Sequence, residues 1–255
     1  MSELVLVSSD ANGVARVSLN RPDKRNALNV ALLEALCGEL DTLAQDDAVR
    51  VAVLSGEGPV FCAGLDMSEA QDPEIAHRSA ELIARSLRTL YHFPKVVIAQ
   101  VRGAAIAGGL GLVSACDFAL AEVDAKFGYP EVRRGLVAGL VMTFARRQLH
   151  ERHARELLLT GEIISGERAC AMGLLNRAVP SDCLQEQTDL LIDQILMGAP
   201  EALQITKEFL NGLYPVEVDT HLEAALGLHV RVRQSAAAQE GMLAFTEKRP
   251  PNWQA

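Results

Sequence analysis

Two glycine turns and one glutamate carry the chemistry open to this sequence. Residues 102–117, RGAAIAGGLGLVSACD, set Gly103, Gly108, Gly109 and Gly111 in an otherwise apolar run, where each glycine costs a helix roughly 0.8 to 1 kcal/mol against alanine. Such a run implies backbone that another group approaches closely. In VFCAGLDMSEA, Gly64 stands just ahead of an expected helix start. Free N–H groups at a strand-to-helix turn, with the helix dipole behind them, suit a phosphate or an oxyanion that exists only during a reaction. Glu131 in KFGYPEVRRG lies between apolar and basic residues and is the carboxylate best suited to move a proton. Two N–H donors on a carbonyl oxygen with a carboxylate beside it describe enolate chemistry. The glycines alone fit a tight turn packed against a neighbour equally well, and at this level both readings stand.

The elements that must position these residues follow from periodicity. Short alternating runs predict strands at 4–8 and 14–19, joined as a hairpin by Asn12-Gly13. Leu28, Leu32, Leu36, Leu40 and Leu43 mark an amphipathic helix reaching about residue 44. A strand at 49–55, a helix at 73–91 closed by Phe93-Pro94, and a strand at 95–101 come next. The glycine run then leads into a helix at 110–116 and a strand at 118–122. Helices are expected at 136–149, around 152–159 and after Ser165, with a strand end at Ala178-Val179. From Asp182 the pattern is helical, with Pro200 at a helix start and Pro215 at a break. The expected class is α/β: a core over 1–197 followed by a helical segment over 198–255.

Composition narrows the function. A chain of 255 residues, 49% of them apolar, can bury one substantial core. Its longest uncharged stretch, 103–116, is 14 residues, too short and too glycine-rich for a membrane span. The first residues show no basic region ahead of an apolar one and carry Glu3, so no secretory signal is expected and the cytoplasm is the default location. A net charge of −9 disfavours nonspecific binding of nucleic acid, yet leaves local basic clusters at Arg21, Lys24 and Arg25 and at Lys248 and Arg249. Five cysteines with no C-x-x-C pair argue against a disulfide framework and against a zinc site. Cys62 and Cys116 flank the turns and read as packed thiols, and His92 reads as an interfacial or structural histidine. Ser114 lacks a G-x-S-x-G context and lies inside an expected helix, which disfavours a serine hydrolase.

FCAGLDM, GAAIAGGLGLVSACD, FGYPEVRRGL and EGMLAFTEKRPPNW, with RPDKRNAL near the start, resemble in order and spacing the enoyl-CoA hydratase/isomerase, or crotonase, family over nearly the whole chain. The resemblance implies a spiral of ββα units with a helical trimerisation segment at 198–255, assembled as a homotrimer or a dimer of trimers. It implies an acyl-CoA thioester as substrate, coenzyme A entering as part of that substrate, with no prosthetic group and no metal. By position, the backbone N–H groups of Leu65 and Gly108 match the two oxyanion donors, and Glu131 matches the acid or base near Cα. The resemblance also implies that Ala63, Gly64, Asp66, Met67 and Ser68 line the adenine and pantetheine path and that Arg21, Lys24 and Ala27 meet the CoA nucleotide. Phe245 and Lys248 would reach CoA within the subunit or across the trimer. An acidic protein that binds a polyanion needs local positive charge of this kind.

Departures from the family pattern bear on the reaction. Gly111 stands where well-characterised hydratases carry a second catalytic glutamate. Shifting a double bond needs one base, whereas adding water is easily drawn with two carboxylates, so Gly111 favours an isomerase. EVRRGLV and GLGLVSACD instead resemble bacterial branched-chain enoyl-CoA hydratases of the methylglutaconyl type, where glycine is usual at this position. A lone glutamate holding water in both roles reconciles the two. Hydration of a 2-enoyl-CoA is therefore the preferred reading, with 3,2-enoyl-CoA isomerisation and a non-catalytic acyl-CoA-binding member as alternatives. Ala107 replaces the first of three consecutive glycines and Val137-Ala138 stands where many members have Pro-Gly, so chain-length preference stays open.

Overall fold

The computed structural model describes residues 3–69, 73–213 and 217–254; the expected break at Pro215 lies outside them. β1 (Val5–Ser9) and β2 (Val14–Leu19) form the expected antiparallel hairpin. β3 (Val51–Gly56), β4 (Val96–Val101), β6 (Phe118–Glu122) and β9 (Arg177–Val179) then add in parallel, giving the order β1-β2-β3-β4-β6-β9. Parallel neighbours require crossovers, which run through α1 (Val30–Gln45) from β2 to β3 and α2 (Pro73–Tyr91) from β3 to β4. Both faces of the sheet are covered, and β4 is buried at every residue, as a parallel strand between two layers must be. One face meets Leu32, Leu36 and Leu40 of α1. The other meets Leu184, Leu191 and Ile195 of α7 (Leu184–Leu196).

A second, smaller sheet builds the site. β5 (Ala104–Ile106), β7 (Lys126–Gly128) and β8 (Ile164–Ser165) pair in the order β5-β7-β8, and Cys62 bridges to Ala105 beside them. Each main strand is thus followed by a short strand or bridge in the second layer and then a helix: Cys62 and α2, β5 and α3 (Gly108–Ala115), β7 and α4 (Gly139–Gln148). This is the expected spiral of ββα units. The short strands have no counterpart in the sequence reading, because three residues show no period.

Two expected helix starts move. α3 begins at Gly108, two residues early, and α4 begins at Gly139, three residues late. Before α4 lies a 3-10 turn, Pro130–Arg134, ended by Gly135 at φ 66°, where a Cβ would overlap the Ala237 carbonyl. α5 (Glu151–Thr160) and α6 (Gly166–Ala171) follow. The remaining helices, α8 (Pro200–Gly212), α9 (Val218–Arg233) and α10 (Ala236–Glu247), lie against the core. Lys207 of α8 donates to Asp117 Oδ2 at 2.7 Å and to the Lys95 carbonyl at 3.1 Å. Arg88 of α2 holds Asp219 of α9 at 2.6 Å, with His92 at 3.8 Å. Among the described residues no helix is long and apolar enough to cross a membrane, and no group of three or more His, Cys, Asp or Glu could hold a metal ion. All five cysteines are free.

Candidate active site

The first turn is organised by Asn26, which sequence reasoning passed over. Its side chain is fully buried and fully bonded: Nδ2 donates to the carbonyls of Glu57 (2.9 Å) and Val60 (2.7 Å), and Oδ1 accepts from the Arg21 N–H (2.8 Å). Asn26 and Arg25 sit at φ 53° and 51°, a left-handed conformation that asparagine tolerates better than most residues. The chain so turned offers the Arg25 carbonyl to the Ala63 N–H at 3.0 Å, and the Leu28 N–H to the Gly64 carbonyl at 2.8 Å.

Arg21 is not a free cation. Its guanidinium donates to the Ala27 carbonyl at 2.6 Å and to Asp66 Oδ2 at 3.1 Å, tying the two halves of the turn together. Burial works to raise the Asp66 carboxyl, but hydrogen bonds from Ser68 and Arg21 outweigh it and hold that group below the ordinary carboxylate range. The same bonds correct the expected helix after Gly64. Asp66 Oδ1 accepts from both the N–H and the hydroxyl of Ser68, a local side-chain arrangement that competes with helix formation. Residues 63–68 accordingly make a bridge to Leu28 and a turn, and no described residue from 63 to 69 is α-helical. Ala63 is exposed at this turn and Met67 half-buried, while Lys24 and Arg25 stand exposed with no carboxylate in ion-pair distance among the described residues.

The second turn touches the first. A Cβ on Gly64 (φ 94°) would lie 2.9 Å from the Ile106 carbonyl and 3.1 Å from the Ala107 Cβ. Packing also explains three of the four glycines in residues 102–117. A Cβ on Gly103 would overlap the Pro59 carbonyl, one on Gly109 would lie 2.7 Å from Cys62 Cβ, and one on Gly111 would overlap a methyl of Val141. The packed-turn reading is therefore right for those three positions. Gly108 differs, since its Cβ would meet only Leu28 Cδ1, at 3.1 Å. As the first residue of α3 it has an N–H that the helix leaves free. The Leu28 bridge likewise uses the Gly64 carbonyl and the Asp66 N–H, passing over the Leu65 N–H. Among the described residues, neither the Leu65 nor the Gly108 N–H has a hydrogen-bond acceptor. Ala107, between the turns, is held at φ 51° and ψ −120°, strained for any residue with a Cβ.

Glu131 reaches the second turn through β7. The Ala107 N–H donates to the Gly128 carbonyl at 2.9 Å, and the chain then passes Tyr129, whose hydroxyl meets Ser114 Oγ of α3 at 2.9 Å, before entering the 3-10 turn. Ser114 is thus a helix residue bonded to a phenol, with no arrangement for nucleophilic attack. Glu131 Oε2 is buried with no hydrogen-bond partner among the described residues. Burial pushes the carboxyl up to about 7 against its own backbone N–H and the charge of Arg134. Cys62 and Cys116 are buried thiols, both raised by that burial, as packed cysteines are. Phe245 and Lys248 lie at the end of α10, the Phe245 ring 4.4 Å from the Arg134 guanidinium carbon and Lys248 exposed.

Paired turns with unused N–H groups, and a buried carboxylate pushed up toward neutrality, on a spiral of ββα units are the marks of the crotonase class of acyl-CoA enzymes. The chain belongs to the enoyl-CoA hydratase/isomerase family, whose model matches residues 9–255. It is 33% identical over 254 residues to the 2,3-dehydroadipyl-CoA hydratase of Escherichia coli (strain K12), covering 99% of each chain. A crystal structure of an enoyl-CoA hydratase from Mycobacterium avium superposes with a TM-score of 0.88 at 35% identity, over 99% of this chain and 100% of that one. A methylmalonyl-CoA decarboxylase in complex with 2-nitronate-propionyl-CoA superposes with a TM-score of 0.83 at 28% identity, over 99% and 98%. The relatives named as hydratases favour hydration, while the decarboxylase shows that the fold alone does not choose the reaction.

Proposed function

We propose that this enzyme reversibly hydrates a 2-enoyl-CoA through a thioester enolate, with Glu131 as its one acid–base residue. The observation that carries this reading is the buried Oε2 of Glu131, without a hydrogen-bond partner among the described residues, on a carboxyl that burial pushes up to about 7, where it both takes and returns a proton near neutral pH. The N–H groups of Leu65 and Gly108 donate to the thioester oxygen and hold the charge that develops on it, each donor being worth about 2.7 to 4 kcal/mol in sites of this kind. Glu131 takes a proton from water as the water oxygen adds to C3, and returns that proton to Cα as the enolate collapses. Residues 63–68 line the CoA path. Lys24, exposed and with no carboxylate in ion-pair distance among the described residues, takes a phosphate, with Arg21 bracing the turn beneath it, while Phe245 and Lys248 reach CoA from the end of α10.

A specific observation favours the runner-up. Val141 fills the space beside Gly111, so no carboxylate stands at that position, and double-bond migration from the 3 to the 2 position needs only Glu131. Turnover of crotonyl-CoA and branched enoyl-CoAs, with products identified by mass spectrometry, separates the readings. Hydroxyacyl product supports hydration, and conversion of a 3-enoyl-CoA without it supports isomerisation. Full turnover by Glu131→Gln would remove the assigned acid–base residue. CoA binding without turnover on any thioester would leave a binding protein.

We also assign residues 198–255 to assembly as a trimer or a dimer of trimers. Phe209 of α8 and Leu213 just past its end are 69% and 62% exposed, and an open groove of about 870 Å³ lined by Met142, Leu158 and Ala225 runs between α4, α5 and α9. Both support the assignment as apolar surface that a further copy would cover. A monomer by light scattering at micromolar concentration contradicts it.

A further inference from the structure

We propose that Ala107 is a positioning residue: its methyl, held on strained backbone between the two turns, sets the spacing of the Leu65 and Gly108 N–H groups and so the fit of the site to a thioester enolate. This deepens the reading above and rests on those two groups being the oxyanion donors. Each donor follows one half of a contact. A Cβ on Gly64 would lie 3.1 Å from the Ala107 Cβ and 2.9 Å from the Ile106 carbonyl oxygen, so the Ala107 methyl closes on the bare face of Gly64. Leu65 comes directly after Gly64, and Gly108 directly after Ala107.

Folding alone does not call for an alanine here. At φ 51° and ψ −120°, Ala107 lies outside the left-handed helical region, in space that glycine enters freely and a residue with a Cβ does not. Such backbone persists only where its surroundings over-determine it. The Ala107 N–H donates to the Gly128 carbonyl at 2.9 Å, its carbonyl accepts from the Gly111 N–H at 3.0 Å, and the Ile106 N–H before it donates to the Cys62 carbonyl at 3.0 Å. Glycine would make the same backbone bonds without the strain. What alanine adds is the methyl and a stiffer chain.

Leu28 joins the same two turns from another side. Its N–H donates to the Gly64 carbonyl at 2.8 Å and its carbonyl accepts from the Asp66 N–H at 2.9 Å, so its backbone brackets Leu65. Its Cδ1 would lie 3.1 Å from a Cβ on Gly108, and the whole residue is buried. The donors are thus tied through a leucine side chain, which can change rotamer, and through a methyl fixed directly to the backbone. The methyl is the stiffer tie. Donors to a developing oxyanion must meet it at about 2.7 to 3.1 Å, and hydrogen bonds weaken steeply as their geometry is lost. Glycine at residue 107 would free φ and ψ and empty the space over Gly64, leaving the two turns room to slide.

The test is Ala107→Gly in the full-length enzyme. Isotope-edited infrared spectroscopy reads the carbonyl stretch of bound butyryl-CoA carrying carbon-13 at the thioester carbonyl, beside kcat and KM on a thioester that the enzyme turns over and beside thermal unfolding. In the wild type the stretch falls on binding, because the two N–H groups polarise the carbonyl. In Ala107→Gly part of that fall is lost. Its kcat drops about tenfold, a fraction of the roughly hundredfold to thousandfold loss that removing a whole donor causes, while KM holds. Its Tm rises by about 2 to 4 °C as the strain is relieved, after the entropy that glycine adds to the unfolded chain. Activity and stability then move in opposite directions, which a residue needed only for folding does not produce. The conservative variant Ala107→Ser keeps the Cβ and with it the wild-type stretch and kcat. A wild-type stretch and kcat in Ala107→Gly, a Tm below the wild type, or a serine variant that behaves as the glycine one overturns the inference. A stretch that does not fall when butyryl-CoA binds the wild type overturns the functional reading instead, since neither N–H then reaches the thioester oxygen.

Discussion

Replacing Glu131 by glutamine should remove turnover and, above neutral pH, make the protein more stable. The folded protein holds this carboxyl at about 7 against an ordinary value of 4.5, chiefly through burial. The fold thus favours the protonated form. Its contribution is fully present below about pH 4.5 and is lost as the pH rises through 7. About two and a half pH units at 1.36 kcal/mol per unit give a charged-state cost of about 3 kcal/mol. Glutamine keeps the shape and never ionises, so Glu131→Gln should match the wild type to within about 1 kcal/mol at pH 5 and exceed it by about 3 kcal/mol at pH 8.5. For a chain of this size that is a gain of about 6 to 12 °C in Tm at the higher pH. Thermal or urea unfolding at both pH values reads the gap directly, at one fixed protein concentration because assembly would contribute to stability. A gap of the same size at pH 5 and pH 8.5 would refute the reasoning, because it would mean that Glu131 carries no burial cost.

Gly111→Ala should destabilise the fold by about 1 to 3 kcal/mol, because the new Cβ overlaps a methyl of Val141. Adding Val141→Ala should recover much of that loss in urea unfolding, and strict additivity of the two changes would show that the contact is not the cause. Lys207→Met should cost about 1.5 to 3 kcal/mol, because it leaves the partly accessible Asp117 carboxylate with the Val97 N–H (2.7 Å) and without its cation. Adding Asp117→Asn should restore most of the unfolding midpoint.

The legible parts of this chain were those with a period or a strong turn signal. β2 and α2 fall on the residues that alternation and the proline boundaries mark. β5 and β7, at three residues each, carry no period, yet they align the two turns and deliver Glu131. The glycines of residues 102–117 signalled close approach correctly but not what approaches. Pro59, Cys62 and Val141 are distant in sequence and meet them only in the folded chain. Asn26 was hidden for the same reason, its partners at Glu57 and Val60 lying more than thirty residues on. Arg21 was legible as a cation beside a turn, but its engagement by Asp66 depends on Asp66 being brought across from the second half of that turn.

The contact between Gly111 and Val141 also constrains how this sequence can change. Some glycine codons become glutamate codons by a single base change, so a carboxylate at residue 111 looks one step away. In the folded chain that step puts the new side chain into Val141 between α3 and α4. The accessible route runs in the other order: residue 141 shrinks first, leaving a gap that weakens the fold, and only then can residue 111 grow. A lineage without stability to spare cannot take the first step. Helix packing at Val141 therefore opposes a second carboxylate at residue 111.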